Sequence, residues 1–301
     1  MTLYKEHFSI KDLENFSGIK AHTIRIWEKR YQLFSPSRTD TNIRLYNLDD
    51  LKAILNISYL NKYGFKISSI ASLSPEQLHQ LVKDTSQKYN DETEIFNPIK
   101  LAILSFDEIA LETIISKVYS RHGFNYIVEE IFIPVLREIG ILWQANAICP
   151  AQEHFISGFI RGKLYAAIDK CPLLPDNPEN PVYCLFLPEN EIHELGLLYI
   201  HYLIKSSGKK SIYLGQSVPM EDLLEIHEIY GSRLNYISIM TTNPAPDEAT
   251  EYLNKLYQKF SKRKAHFIFS GQIIEKVPPS KFENFTFYPG FTSLVKAVKN
   301  Q

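Results

Sequence analysis

Val182-Tyr183-Cys184-Leu185-Phe186-Leu187-Pro188-Glu189-Asn190-Glu191-Ile192-His193-Glu194-Leu195-Gly196 is the stretch on which the architecture turns. An apolar run opens it, a polar loop follows, and helical periodicity then runs from Leu195 to Ser206. A short unbroken apolar run bounded by turn residues predicts a strand covered on both faces. Downstream, strands at Ser211–Leu214, Tyr236–Met240 and His266–Phe269 alternate with amphipathic helices at Met220–Tyr230 and Glu248–Lys262. That alternation predicts a parallel α/β sheet. Ligands of open α/β sheets lie outside the carboxyl ends of the strands, so the loops after Leu187, Leu214, Met240 and Phe269 are the places to search.

His193 stands in the first of these loops, with Glu191 two residues before it. A carboxylate so placed can accept one ring N–H, which fixes the tautomer and makes the other nitrogen more basic. The alternative is an exposed loop histidine with no role. Gly196 lets a bulky group approach the start of the next helix closely. A metalloprotease site is excluded, because His193-Glu194 opens like H-E-x-x-H but the second histidine position is Leu197. His201 falls on the helix and is given no ligand role. No G-x-G-x-x-G follows a strand and no G-x-x-x-x-G-K-[ST] occurs, so nucleotide phosphates lack their usual cradle.

Upstream lies a Pro- and Asn-rich linker from Cys171 to Pro181. From Ile95 to Ile168 the chain is helix-periodic, as in Ile127-x-x-x-Ile131-Phe132-x-x-Val135-Leu136-x-x-Ile139, and Pro150 breaks the pattern between two helices. The zone 95–171 reads as a four-helix bundle. Residues 76–94 join it to the N-terminal unit, 1–75, and Ser74-Pro75-Glu76 marks a helix start. The polar segment Lys83–Glu94 either continues that helix or acts as a linker.

In the N-terminal unit, Ser9 caps a short helix with Asp12 at the capping-box position, and Gly18 allows a tight turn. A second helix, Ala21–Tyr31, carries His22, Thr23, Arg25, Lys29 and Arg30. Two helices joined by a Gly-containing turn, the second basic and hydroxyl-bearing, suit major-groove docking. A solvated charged face is the alternative. Residues 1–75 hold 11 of the 33 Lys and Arg and 7 of the 34 Asp and Glu, a net charge of +4 on a body of −5. A basic unit on an acidic body points weakly to nucleic acid.

The 301 residues are 45 % hydrophobic and 22 % charged, which excludes a disordered or fibrous chain. No uncharged apolar run reaches the roughly 18 residues a spanning helix needs. The N-terminus lacks signal-peptide features, and three cysteines without C-x-x-C exclude a disulfide framework or a cysteine zinc site. A cytoplasmic, non-membrane protein is expected.

Ile24-Arg25-Ile26-Trp27-Glu28-Lys29-Arg30-Tyr31, then Pro36-Ser37-Arg38-Thr39, Ile43-Arg44-Leu45-Tyr46 and Leu48-Asp49-Asp50-Leu51 resemble the winged helix of the MerR family. The Trp-Glu-x-Arg-Tyr form is that of its light-responsive branch. The resemblance implies that Ala21–Tyr31 enters the major groove of double-stranded operator DNA. Arg38–Tyr46 would form a wing along the backbone, with Arg25, Arg38, Arg44 and Tyr46 among the DNA contacts. Trp27 and Tyr31 are expected to pack inside. Asp40-Thr41-Asn42 stands at the wing tip, where the family usually has glycine.

Glu191-x-His193-x-x-Gly196, then Ser238-Ile239-Met240, then Ser270-Gly271 resemble the motifs of Rossmann-like cobalamin-binding domains of the methionine-synthase type. The resemblance implies that His193 is the lower cobalt ligand and that the displaced nucleotide tail runs past Ser238 and Gly271. Glu191, Gly196, Met240 and Ser270 complete the expected cofactor residues, and Ser270 replaces the first motif glycine. Trp143, nine residues, then Glu153-His154 is similar to the signature of the cobalamin-dependent photoreceptor branch. It implies that Trp143, Glu153 and His154 contact the adenosyl group of adenosylcobalamin, held between bundle and sheet. Taken singly, Trp143 reads as core and Glu153 as an acid at a helix N-terminus. The residue after Trp143 is Gln144 rather than the branch's histidine, so a bis-histidine photoproduct through that position is excluded.

The expectation is therefore a multi-domain α and α/β protein: winged helix-turn-helix, four-helix bundle and, over 182–301, a Rossmann-like parallel-sheet domain. Functionally it is a non-enzymatic transcriptional repressor that binds adenosylcobalamin, forms a homo-oligomer (dimer or tetramer) and releases DNA in light. The alternatives are a regulator of the same build without cofactor, controlled by a partner or by nothing, and a corrinoid carrier for a methyltransferase.

Overall fold

The computed structural model describes residues 7–89, 95–145, 147–173, 175, 177–277 and 282–300. The chain divides into two compact units, Met1–Phe159 and Ile160–Gln301.

The first unit begins with α1 (Ile10–Ser17) and α2 (Ala21–Tyr31). Ser9 and Asp12 form the expected reciprocal capping box, and Gly18 ends α1 in the left-handed conformation at φ 73°. Lys20, the N-cap of α2, gives no side-chain cap; instead the Glu14 carboxylate accepts from the Ala21 N–H at 3.2 Å and so seats one helix on the other. Strands β1 (Ser37–Arg38) and β2 (Arg44–Leu45) pair antiparallel as a wing. Then follow α3 (Leu48–Lys62), α4 (Ile67–Ile70) and α5 (Pro75–Tyr89), so the helix started at Pro75 reaches Tyr89. Residues 90–94, the rest of the polar segment read as helix or linker, lie outside the described residues.

The helical zone holds α6 (Phe96–Leu104), α7 (Glu108–His122), α8 (Phe124–Tyr126), α9 (Ile133–Gln144) and α10 (Pro150–Asp169). A π-helical turn, Ile127–Phe132, joins α8 to α9, making one long helix and hence the four expected. Pro134 stands just after the π turn; it cannot donate to the carbonyl four residues back, and the ladder widens there.

The second unit is a five-stranded, wholly parallel sheet in the order β4-β3-β5-β6-β7. Its strands are β3 (Val182–Phe186), β4 (Lys210–Gly215), β5 (Leu234–Ile239), β6 (His266–Ser270) and β7 (Phe285–Tyr288). Helices α11 (Leu195–Ser206), α12 (Met220–Tyr230), α13 (Ala249–Phe260) and α14 (Phe291–Lys299) complete it. Alternate strand residues Val182, Cys184, Phe186, Leu234, Tyr236 and Phe267 share a core with Leu223, Leu253, Leu256 and Phe260 of α12 and α13. All of β3 is buried, as the continuous apolar run predicts. Stacked rings at 4.5 Å between Tyr236 and Phe267 tie β5 to β6 across that face. Strand β7 and helix α14 were not anticipated from sequence.

Strand order reverses between β3 and β5, which makes the crevice beyond their carboxyl ends the topological switch point, where such sheets bind ligands. Among the described residues no helix is long and apolar enough to cross a membrane.

Candidate functional site

Helix α2 buries Ile24 and Trp27. It turns His22, Arg25, Lys29 and Arg30 to solvent, with Thr23 half-buried. These positions follow the i, i+3, i+7 and i+8 spacing of one helix face, a basic stripe of the kind major-groove docking needs. Tyr31 is only half-buried, and the Arg30 guanidinium sits over its ring at 5.3 Å.

One of the expected DNA contacts needs correction, and a second has an added structural role. Tyr46 is fully buried: its hydroxyl donates to Glu28 Oε2 at 2.7 Å, and its backbone bridges Phe8. Burial, then the Glu28 bond, raise its phenol pKa, so it stays a neutral donor inside the domain. Arg44 donates through Nε to both Glu28 oxygens at 2.9 and 3.2 Å, and so braces the wing against α2. Arg38 remains exposed, with Nη1 on Asn42 Oδ1 at 2.6 Å. Asn42 takes φ 64°, a left-handed conformation that Asn tolerates better than most residues, so the wing closes without the usual glycine.

In the second unit the loop after β3 and the loop after β5 meet at the switch point. Glu191 is wholly buried. Its Oε1 accepts from the His193 Nδ1–H at 2.6 Å and from the backbone N–H groups of Ile192 and His193. Its Oε2 accepts from the N–H groups of Thr241 at 2.9 Å, Thr242 at 2.6 Å and Asn243 at 3.0 Å. Burial alone would raise this carboxyl, but the bonds from His193, Thr242 and Asn243 hold it well below the usual carboxylate range. A permanent carboxylate on Nδ1 fixes the tautomer and makes Nε2 the more basic nitrogen, the electronic setting of a metal-binding histidine. The His193 side chain is 52 % exposed. Thr242, whose Oγ1 lies 3.2 Å from His193 Nδ1, and Asn243 escaped the sequence reading; only the placement of a ligand loop after Met240 pointed towards them.

Further bonds fix this loop. Asn190, at φ 65°, donates its N–H to Ser217 Oγ and accepts from Asn243 Nδ2 at its carbonyl, both at 3.0 Å. Glu194, almost buried, accepts from Arg161 Nε at 2.9 Å and the Tyr213 hydroxyl at 2.8 Å. His201 lies on α11, the helix expected for it, and is buried there with Nδ1 2.7 Å from Ser211 Oγ.

The remaining motif residues divide. Ser238, in β5 beside Phe186 of β3, is fully buried, and its Oγ has no hydrogen-bond partner. An orphaned hydroxyl on the ligand-facing sheet suits a polar cofactor group. Gly196, Met240 and Gly271 each also have a packing role within the protein. A Cβ on Gly196 would meet the Phe291 ring at 3.1 Å, so the close approach it permits is that of α14. Met240 is packed in the core. Gly271 has φ 114°, and a Cβ there would overlap the Met240 carbonyl oxygen. The buried Ser270 hydroxyl donates to the Gly290 carbonyl at 3.1 Å.

In the first unit, Trp143 on the last turn of α9 is 51 % exposed, which excludes the core alternative. Gln152 is buried, accepting from the Cys149 N–H at 3.0 Å and donating to the Leu104 carbonyl, and so anchors the start of α10 to the end of α6. Glu153 Oε2 lies 2.7 Å from His154 Nδ1, and Ser157 Oγ donates to Glu153 Oε1. Among the described residues no three His, Cys, Asp or Glu converge on a metal site.

Residues 8–77 match the model of MerR HTH family regulatory proteins, and residues 95–168 that of the B12 binding domain. The HTH-type transcriptional repressor CarH of Myxococcus xanthus is 28 % identical over 222 residues, 72 % of this chain and 73 % of that one. CarA, an HTH-type transcriptional repressor of the same organism, is 22 % identical over 212 residues, 70 % of this chain and 68 % of its own. The structure of the Methanosarcina barkeri monomethylamine corrinoid protein superposes with a TM-score of 0.54 at 13 % identity, over 70 % of this chain and 99 % of that one, a likeness of fold. The domains are those of a cobalamin-binding transcription regulator. The chain matches the MerR/CarH-type family, a MerR helix-turn-helix joined to a B12-binding domain.

Proposed function

We propose that this chain is a repressor that binds adenosylcobalamin, occupies its operator as a homo-oligomer in the dark and leaves it on illumination. The observation that carries the reading is the Glu191–His193 pair at the switch point, with one imidazole nitrogen committed to a buried carboxylate and the ring half-exposed. His193 would hold the cobalt of the corrinoid, and the Ser238 hydroxyl would meet a polar group of the bound cofactor. Trp143, Glu153 and His154 are the residues we assign to the adenosyl group. When bound, adenosylcobalamin supplies a cobalt–carbon bond that light breaks. Gln144 follows Trp143, where the photoreceptor branch has a histidine, so that position supplies no imidazole to the cofactor.

The ligand can change DNA affinity only as far as it favours one assembly state over another. A band-shift on the promoter of the protein's own gene, dark and illuminated, with and without adenosylcobalamin, tests this. Binding should require the cofactor in the dark and be lost in light. Binding indifferent to the cofactor would refute the switch and favour the cofactor-independent regulator. Corrinoid uptake without any DNA binding would favour a carrier for methyl transfer.

A further inference from the structure

The basic face of α2 has an apolar centre. Ile26 is 54 % exposed. It stands four residues after His22, beside Arg25, and three and four residues before Lys29 and Arg30, all exposed. The i, i+3 and i+4 spacing places His22, Lys29 and Arg30 around it on one face, with Arg25 adjacent in the chain at the edge of that face. A single exposed aliphatic residue is ordinary on a protein surface. This one differs by its setting: three cations and a histidine frame it, and the helix's own packing residues, Ile24 and Trp27, lie inside.

A surface of cations around one branched aliphatic group is complementary to a polyanion with an apolar point at the floor of its groove. Double-stranded DNA offers that point in the major groove as the C5-methyl of thymine, the one apolar group there that carries sequence information. The cations neutralise phosphates and set the register, which leaves sequence to the residues reaching base edges. We propose that Ile26 is a specificity-determining residue that packs against a thymine methyl in the operator. The inference rests on the DNA-binding reading above and adds to it a base and an atom.

The test uses the full chain and duplexes it selects from a random-sequence library. Each thymine of the selected site is replaced singly by deoxyuridine, which removes the methyl and keeps the pairing. At one position per half-site, wild-type binding should weaken about four-fold, the worth of one buried methyl. Ile26→Ala, an exposed position whose change leaves the fold intact, should bind the thymine and deoxyuridine duplexes equally there while keeping the wild-type response elsewhere. Absence of any deoxyuridine effect with the wild type, or the same effect in I26A, would overturn the proposal. Failure to select any duplex would overturn the DNA-binding reading itself, a separate outcome because no complex forms to compare.

Discussion

Glu191 Oε1 and His193 Nδ1 lie 2.6 Å apart, and the other Glu191 oxygen is held by three consecutive backbone N–H groups, those of Thr241, Thr242 and Asn243. One carboxylate thus orients the imidazole and joins the loop after β3 to the loop after β5. Glu191→Gln keeps the shape but turns an NH2 group towards donors. Stability should fall by about 2 kcal/mol, from groups left unsatisfied. Corrinoid retention after gel filtration should fall about 10- to 100-fold, the usual effect of removing a partner that orients a metal-binding histidine. Unchanged retention in a folded variant would show that Glu191 does not support His193.

Acid should weaken the second unit in two steps. Burial pushes the His201 imidazole down to about 4, with the Lys205 charge adding to it. An unfolded histidine protonates near 6.5, so this contribution is intact above pH 6.5 and is lost as pH falls towards 4. The loss should approach about 3 kcal/mol. Glu191, depressed in the folded state, contributes stability present above the ordinary carboxylate range and lost below it. Urea denaturation across pH 4 to 8 should show the first step in the wild type and a flatter profile in His201→Gln.

Salt dependence separates the residues that face DNA from those that build the wing. Arg25→Ala should reduce the slope of log affinity against log salt by about 0.9 if Arg25 neutralises one phosphate. Tyr46→Phe removes the bond to Glu28 inside the domain. It should lower stability by about 1 kcal/mol and leave the salt slope unchanged. A lower slope in Y46F would contradict its burial.

Two motif glycines should differ sharply when given a methyl group. At Gly271 both the φ of 114° and the Met240 carbonyl, which a Cβ would overlap, oppose a side chain. Gly271→Ala should destabilise the unit by about 3 kcal/mol or more. At Gly196 the obstacle is the Phe291 ring at 3.1 Å, which can shift, and the loss should stay near about 1 kcal/mol. Thermal melts of the two variants check the order.

Much of this architecture was legible because its cause is local. The spans Ala21–Tyr31, Leu195–Ser206 and Met220–Tyr230 agree to the residue between pattern and structure. Each is bounded by a turn or polar break that ends its periodicity. The Glu191–His193 bond was legible too, since two residues in one loop meet without help from the rest of the chain. Strand β7 was not: it is four half-buried residues at the sheet edge, too short for a period to register. Long-range partners were equally silent. Nothing near Tyr46 in sequence announces Glu28, and nothing near Gly196 announces Phe291. A residue read as facing a ligand can therefore be buried in the protein instead, as Tyr46 is. Ile26 was passed over for the opposite reason: apolar residues on an amphipathic helix are taken as core, and only its exposure shows otherwise.

The most direct measurement of the central claim is the EPR spectrum of the full chain loaded with cobalt(II) cobalamin, prepared once unlabelled and once with 15N-histidine. A protein imidazole on cobalt would change the axial nitrogen splitting from a triplet to a doublet on labelling, and His193→Ala would abolish that change. A triplet that persists in the labelled protein, or a doublet that survives in H193A, would contradict His193 as the cobalt ligand.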